Sequence, residues 1–214
     1  MIPVETWLLF AGAALVMVLT PGPNMVHLIA RSVAQGRGAG WISLAGVLAG
    51  FVFHMLAAAI GLWAVLLAVP VAYDLVRLAG AGYLLWLAWQ MLANRGASPF
   101  VPSALPPQGP ARLFATGFVT NLLNPKIAVF YLSVFPLFVS PARGDVLGQF
   151  LILGTTQIVI SGAVNGAIVV AAGAIGRFFR ERPLWMAMQR TLSGLVLAAM
   201  ALRIAVDDRP PATR

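Results

Sequence analysis

The chain has 214 residues, 60% of them hydrophobic and only 9% charged, with a mean hydropathy of +0.91. Soluble domains carry about 25% charged residues, so this composition excludes an ordinary soluble protein and points to an all-α integral membrane protein. The formal net charge is +8, but the basic residues are scattered arginines between apolar runs, which suits topology signals and contacts with membrane lipids and argues against a nucleic-acid partner. With no cysteine, a disulfide framework, thiolate chemistry and a Cys-based metal site are all excluded.

A transmembrane helix needs about 20 apolar residues. Six runs qualify: Thr6 to Ala30, Trp41 to Val69, Ala72 to Leu92, Phe114 to Val139, Val146 to Ile175, and Leu184 to Val206. The first is preceded by no basic region, and no small-residue cleavage pattern comes before its central break, so it reads as a retained helix rather than a signal peptide. Its centre is interrupted by Thr20-Pro21-Gly22-Pro23-Asn24. Two prolines remove two backbone donors, so the carbonyls of Met17 and Leu19 lose their helical partners. In hydrocarbon such a break survives only where protein or a watery cavity surrounds it. It also starts a second half-helix, which Asn24 is free to help cap, and whose bare N–H groups suit an anion such as a carboxylate. The plain alternative is a proline kink.

The second and third runs meet at a very short connection around Pro70. The longest connection, Ala93 to Arg112, holds Pro99, Pro102, Pro106, Pro107 and Pro110 and reads as an extended, cytoplasmic linker. It divides the chain into a first three-helix repeat (1–92), the linker (93–112) and a second three-helix repeat (113–214). The halves share a theme: the fourth run is also broken, at Asn124-Pro125, and a short Arg-Gly loop follows each broken run, at Arg37-Gly38 and Arg143-Gly144. Three helices per half is an odd number, which predicts a three-plus-three inverted repeat with broken first and fourth helices. Broken segments at matching positions of such halves are the best sequence pointer to a transport site. Arg31, Arg37, Arg95, Arg112, Arg177, Arg180 and Arg182 outnumber Arg77, Arg143, Arg203, Arg209 and Arg214 on the other side. That bias predicts the first set in the cytoplasm and both termini outside it.

At the second break Asn124 can cap, Pro125 suits the first helical position, and Lys126 follows. A lysine near the bilayer centre costs about 2.5–3.5 kcal/mol on insertion scales, and a cation opposes the dipole of the helix it begins. An anion bound there offsets both costs. Lys126 therefore serves either a substrate carboxylate or, by snorkelling or donating to the carbonyls freed at the first break, the structure itself. Asn121 lies one turn before Asn124, while Gln157, Ser161 and Asn165 recur every four residues on one face of the fifth helix. They line a cavity or make interhelical hydrogen bonds. His54, midway along the second helix, is the first candidate to carry a coupled proton, the bland reading being a satisfied hydrogen-bonder. Asp74, three residues before Arg77, is the second candidate, the bland reading being an interfacial ion pair. Gly46 and Gly50, and Gly80 between Ala79 and Ala81, allow close helix packing. Trp41, Trp63, Tyr73, Trp86, Trp89 and Trp185 suit interfacial belts.

Leu19-Thr20-Pro21-Gly22-Pro23-Asn24, Gln35-Gly36-Arg37-Gly38-Ala39-Gly40, Arg77-Leu78-Ala79-Gly80-Ala81-Gly82-Tyr83-Leu84, and Asn121-Leu122-Leu123-Asn124-Pro125-Lys126 running on to Phe135-Pro136-Leu137-Phe138-Val139 together resemble the LysE/RhtB-type amino-acid exporters over almost the whole chain. The resemblance implies a multi-pass protein of the bacterial inner (plasma) membrane that exports amino acids or close derivatives and is driven by the proton gradient. By position, Pro21, Gly22, Pro23, Asn24, Asn124, Pro125 and Lys126 would form the functional core; Asp74 falls outside the pattern. Asn121 and Gln157 join them as candidate substrate-binding residues. The rival classes are a passive channel, an exporter of another small solute such as a cation or metabolite, and an accessory membrane subunit. An intramembrane enzyme is disfavoured: His27 and His54 are the only histidines, and the carboxylates lie near span ends. No cofactor and no metal is expected. A homodimer is left open, since no sequence feature demands one.

Overall fold

The computed structural model describes residues 2–20, 22–62, 105–181 and 183–206, with single positions between 78 and 93. Helix α1 (Val4–Leu19) stops where the chain runs out of donors: the N–H of Thr20 bonds the Val16 carbonyl at 3.0 Å, and the next residue is a proline. Thr20 is extended, as a residue before proline prefers, with ψ 122°. Helix α2 (Pro23–Gln35) then starts with Pro23 in its first turn, and the two axes are bent by 53°. Gly22, not Asn24, is the N-cap, and no side chain caps α2. The expectation for Asn24 is thus corrected: Pro23 is preorganised for the first helical position, so Asn24 is already inside the helix.

Helix α3 (Arg37–Ala57) follows after Gly36 alone. Gly36 has φ 87°, a conformation that glycine adopts without strain. The loop expected at Arg37-Gly38 is therefore absent, because both residues already belong to α3. The helix runs on into a wider π-helical turn, Ala58–Leu62. The second broken pair is α4 (Pro110–Leu122) and α5 (Pro125–Val129), which continues as a π-helical turn (Phe130–Val134) and a 3-10 turn (Phe135–Phe138). Its two parts are bent by 49°. After a short 3-10 turn come α6 (Val146–Glu181) and α7 (Pro183–Val206).

Arg37–Ile60 and Val146–Ala174 are each long and apolar enough to cross a bilayer, and each bent pair qualifies as one further span. The third predicted run lies mostly outside the described residues, as do Pro21, Asp74 and Arg77, while α7 occupies the sixth. Large apolar side chains cover the exterior, among them Leu9, Ile60, Leu123, Val159 and Leu184. A soluble protein rarely exposes such surface contiguously, whereas lipid accepts it.

Glycines bring α3 and α4 into backbone contact. A Cβ on Gly46 would fall on the Phe114 carbonyl, and one on Gly117 on the Ser43 carbonyl. One turn further, a Cβ on Gly50 would lie 2.7 Å from the Asn121 side chain. This is the small-residue packing that membrane helices use when no hydrophobic effect drives them together. Between α1 and α6 the core is aromatic. The rings of His54, Tyr131, Phe135 and Phe150 form one stack with successive centroids 5.7, 4.8 and 5.4 Å apart, and Phe10 meets Phe135 edge-on at 5.0 Å. The chain entering α4 is tied to α2: Arg31 donates to the Pro106 carbonyl at 3.1 Å, and the Gln35 amide bonds both the N–H and the carbonyl of Gln108 at 3.1 Å. Residues of the linker's end are thus clasped by α2, and helix begins at Pro110, slightly before the expected boundary.

Candidate binding site at the paired helix breaks

The two breaks meet through one side chain. Lys126 is buried, and its ammonium donates to the carbonyls of Met17 at 3.0 Å and Thr20 at 2.7 Å. Of the two carbonyls expected to be orphaned, Met17 is found in this role and Leu19 is not; Thr20 takes its place. The lysine begins α5, but its charge ends at the C-terminal end of α1, where the helix dipole favours a cation. The penalty expected from its position in sequence is relieved by the length of its side chain. Among the described residues no carboxylate pairs with it.

Local chemistry fixes this arrangement. The Asn124 side-chain oxygen accepts the backbone N–H of Lys126 at 3.1 Å and caps α5, as Asn, Pro and Lys in succession predict. Gly22 lets the ammonium pass against the backbone, since a Cβ there would lie 3.0 Å from Nζ. Thr20 turns its hydroxyl back to the Val16 carbonyl at 2.8 Å, leaving its own carbonyl to Lys126.

A cavity with about 250 Å³ of empty space, counting its open side, lies at this junction. Thr20, Gly22, Asn24, Lys126 and Asn165 supply its polar wall, and Met17, Val18, Met25, Phe51 and Ile127 its apolar wall. Asn24 is buried with its side-chain oxygen unpartnered. Buried polar atoms are seldom left so, which makes this oxygen available to a ligand donor.

The other predicted residues among those described sit around this cavity rather than in it. Asn121 is fully buried against Gly50 with both amide atoms unpartnered, and its backbone carbonyl lies 3.4 Å from His54 Nε2. Asn124 and Pro125 shape the turn that carries Lys126, and Pro23 starts α2. Gln157 accepts from the Tyr131 hydroxyl at 2.7 Å and donates to the Ser161 hydroxyl at 2.8 Å, while Asn165 donates to the Ser161 carbonyl at 2.9 Å. A hydrogen-bonded run therefore links Tyr131, on which His54 stacks, through Gln157 to the Ser161 hydroxyl, while Asn165 in the cavity wall bonds separately to the Ser161 backbone carbonyl. Sequence reasoning left Asn165 out of the site, although the four-residue spacing signalled its face; Tyr131 and the apolar wall carried no local signal. Replacing Tyr131 with phenylalanine is expected to leave Gln157 Oε1 buried without a donor, at a cost of about 1–3 kcal/mol. A lowered midpoint of thermal unfolding in detergent checks this.

The sequence pattern of LysE type translocators matches residues 15–208. The homoserine/homoserine lactone efflux protein of Salmonella typhi is 29% identical over 198 residues, covering 92% of this chain and 95% of that protein. The leucine efflux protein of Enterobacter sp. (strain 638) is 30% identical over 202 residues, covering 93% and 94%. An uncharacterized membrane protein of Vibrio cholerae is 28% identical over 195 residues, covering 91% and 94%. No solved structure is a significant match. With the apolar helices and with relatives matched nearly end to end, the chain is a multi-pass membrane protein that belongs to the LysE type translocator family.

Proposed function

We propose that this protein is a secondary active exporter of amino acids or close derivatives across the bacterial inner membrane, driven by the proton gradient. The observation that carries the reading is the buried Lys126 ammonium, held among the described residues by two carbonyls of the opposite broken helix. A cation so held can exchange those neutral acceptors for a carboxylate, a stronger partner. The efflux relatives support the same substrate class, and the family is one of translocators rather than enzymes.

In this reading the chain forms six transmembrane helices in two inverted three-helix repeats, residues 1–92 and 113–214, joined by the cytoplasmic linker 93–112, with both termini outside the cytoplasm. The substrate sits at mid-membrane between the breaks. Its carboxylate takes Lys126 together with the bare N–H groups of the half-helices; its ammonium takes the carbonyls that Lys126 releases and the Asn24 oxygen. Pro21, Gly22 and Pro23 are the hinge about which one half rocks on the other. His54, stacked on Tyr131, is the first candidate proton carrier.

The test is efflux of preloaded, labelled amino acids from cells carrying the protein or an empty vector, with and without a proton uncoupler. Protein-dependent efflux that the uncoupler stops is the expected result. Efflux that continues down its gradient with the uncoupler present identifies a passive channel instead.

A further inference from the structure

Resting on the reading of the protein as an exporter whose halves rock on each other, we infer that α2 is a gate arm, latched shut by the clasp of Arg31 and Gln35 on residues 106–108, and that transport requires this latch to part. Three observations carry this. The first is a pair of joints. Helix α2 extends about 18 Å from Pro23 to Gln35 and has a glycine at each end, Gly22 at the break and Gly36 at the junction with α3. Gly36 has φ 87°, and nothing lies within 4 Å of a Cβ there. Its lack of a side chain therefore serves the backbone and not packing.

The second is the latch itself. Directed bonds join the far end of α2 to the chain that enters α4: Arg31 Nη1 to the Pro106 carbonyl, Gln35 Nε2 to the Gln108 carbonyl, and the Gln108 N–H to Gln35 Oε1. Both sides are braced, since Arg31 also donates to Gln35 Oε1 at 3.2 Å and the Thr116 hydroxyl of α4 donates to Gln108 Oε1 at 3.4 Å. The contacts of Met25 and Ile29 with Ile168 on α6 are apolar, and such contacts are non-directional. Pro106 and Pro107 are exposed, so the polar groups of the latch regain partners in water when it parts.

The third is what the latch covers. Asn24, His27, Arg31 and Gln35 follow the three- and four-residue spacing of a single helix face. Asn24 lines the cavity at the break, and the latch closes the other end of the same face. Along it Asn24 Oδ1, His27 Nε2 and Arg31 Nε are buried with no partner among the described residues. Buried polar atoms are seldom left so, and these three gain partners together when water or substrate passes along α2. Parting the latch thus opens a polar approach to the site from the side of Arg31, Arg37 and Arg112, which is cytoplasmic in the reading above.

The chain has no cysteine, so introduced thiols report alone. The test uses the purified full chain in proteoliposomes. In the first arm Gln35→Cys and Gln108→Cys are combined and joined by a short bis-methanethiosulfonate linker. Counterflow of a mixture of labelled amino acids should fall to the level of empty vesicles on linking and return when dithiothreitol cleaves the linker, while each single variant keeps its own rate through the same treatment. The second arm needs no transport. His27→Cys reports the opening of α2 by its rate of reaction with a small, water-soluble methanethiosulfonate. Adding Gln35→Ala removes both Gln35–Gln108 bonds, each of which biases an equilibrium by about two- to tenfold, so labelling should quicken at least about fivefold. Asn24→Cys, deeper on the same face, serves as the reporter if His27→Cys does not fold. Undiminished exchange by the linked protein, or unchanged labelling with Gln35→Ala, overturns the latch and leaves amino-acid export standing. If the wild type exchanges no amino acid, the exporter reading falls, and the labelling arm alone upholds or overturns the latch.

Discussion

Leucine in place of Gly46 is expected to leave no correctly folded protein. The crossing of α3 and α4 is built on two glycines, Gly46 and Gly117, each of which faces a carbonyl of the opposing backbone. Overpacking a core costs about 1–3 kcal/mol when side chains can give way, but here the atoms in the way are main chain, held in a helix on each side. The helices must separate, and they then lose the Gly50–Asn121 contact and bring Asn121, with its unpaired amide, out of its packing. Alanine at Gly12 is the matched control, since nothing lies within 4 Å of a Cβ there. In a helix interior that change is worth up to about 1 kcal/mol of stabilisation. Size-exclusion profiles in detergent check both: aggregation or loss of Gly46→Leu beside a normal Gly12→Ala peak is the expected result. A monodisperse Gly46→Leu of unchanged thermal midpoint would contradict this helix crossing.

The second large effect is at Lys126. Methionine there is close to the same shape without the charge, so the cavity is kept while its cation is removed. In the resting arrangement Met17 and Thr20 then lose their donor, and a buried acceptor left without a partner costs about 1–3 kcal/mol. Removing a charge from the membrane interior offsets about 2.5–3.5 kcal/mol. The two nearly cancel, so Lys126→Met is expected to fold with a thermal midpoint close to that of the wild type. Its transport should nonetheless be lost, because the carboxylate has no cation to meet. A variant that unfolds outright would instead make Lys126 a structural strut.

The breaks were legible because proline chemistry is local. Pro21, Pro23 and Pro125 end or start helices wherever they sit, and Asn124-Pro125-Lys126 spells out its own cap. What sits opposite a break depends on how each half-helix is rotated about its axis, which no neighbouring residue fixes. That is why Thr20 rather than Leu19 pairs with Lys126: Leu19 is half-exposed on the outer side of α1. Asn24 was misjudged for a related reason, because a helix that starts at Pro23 moves the cap back to Gly22. The polar stripe on the fifth predicted helix was readable from its spacing of four, but Tyr131, the partner that engages Gln157, lies 26 residues away. A contact of that kind needs the fold. The apolar wall of the cavity was invisible for a simpler reason: in a membrane protein Met17, Val18, Phe51 and Ile127 look like any lipid-facing residue until packing shows otherwise. Asp74 and Pro21 lie outside the described residues, so their expected roles rest on sequence.

The central claim is that Lys126 recognises the carboxylate of an exported amino acid. Its most direct test is efflux of preloaded, labelled amino acids from cells carrying the wild type or Lys126→Met, at matched amounts of folded protein in the membrane. Export by the wild type, with loss to the level of the empty vector in Lys126→Met, is the result predicted. Undiminished export without the lysine charge would contradict it.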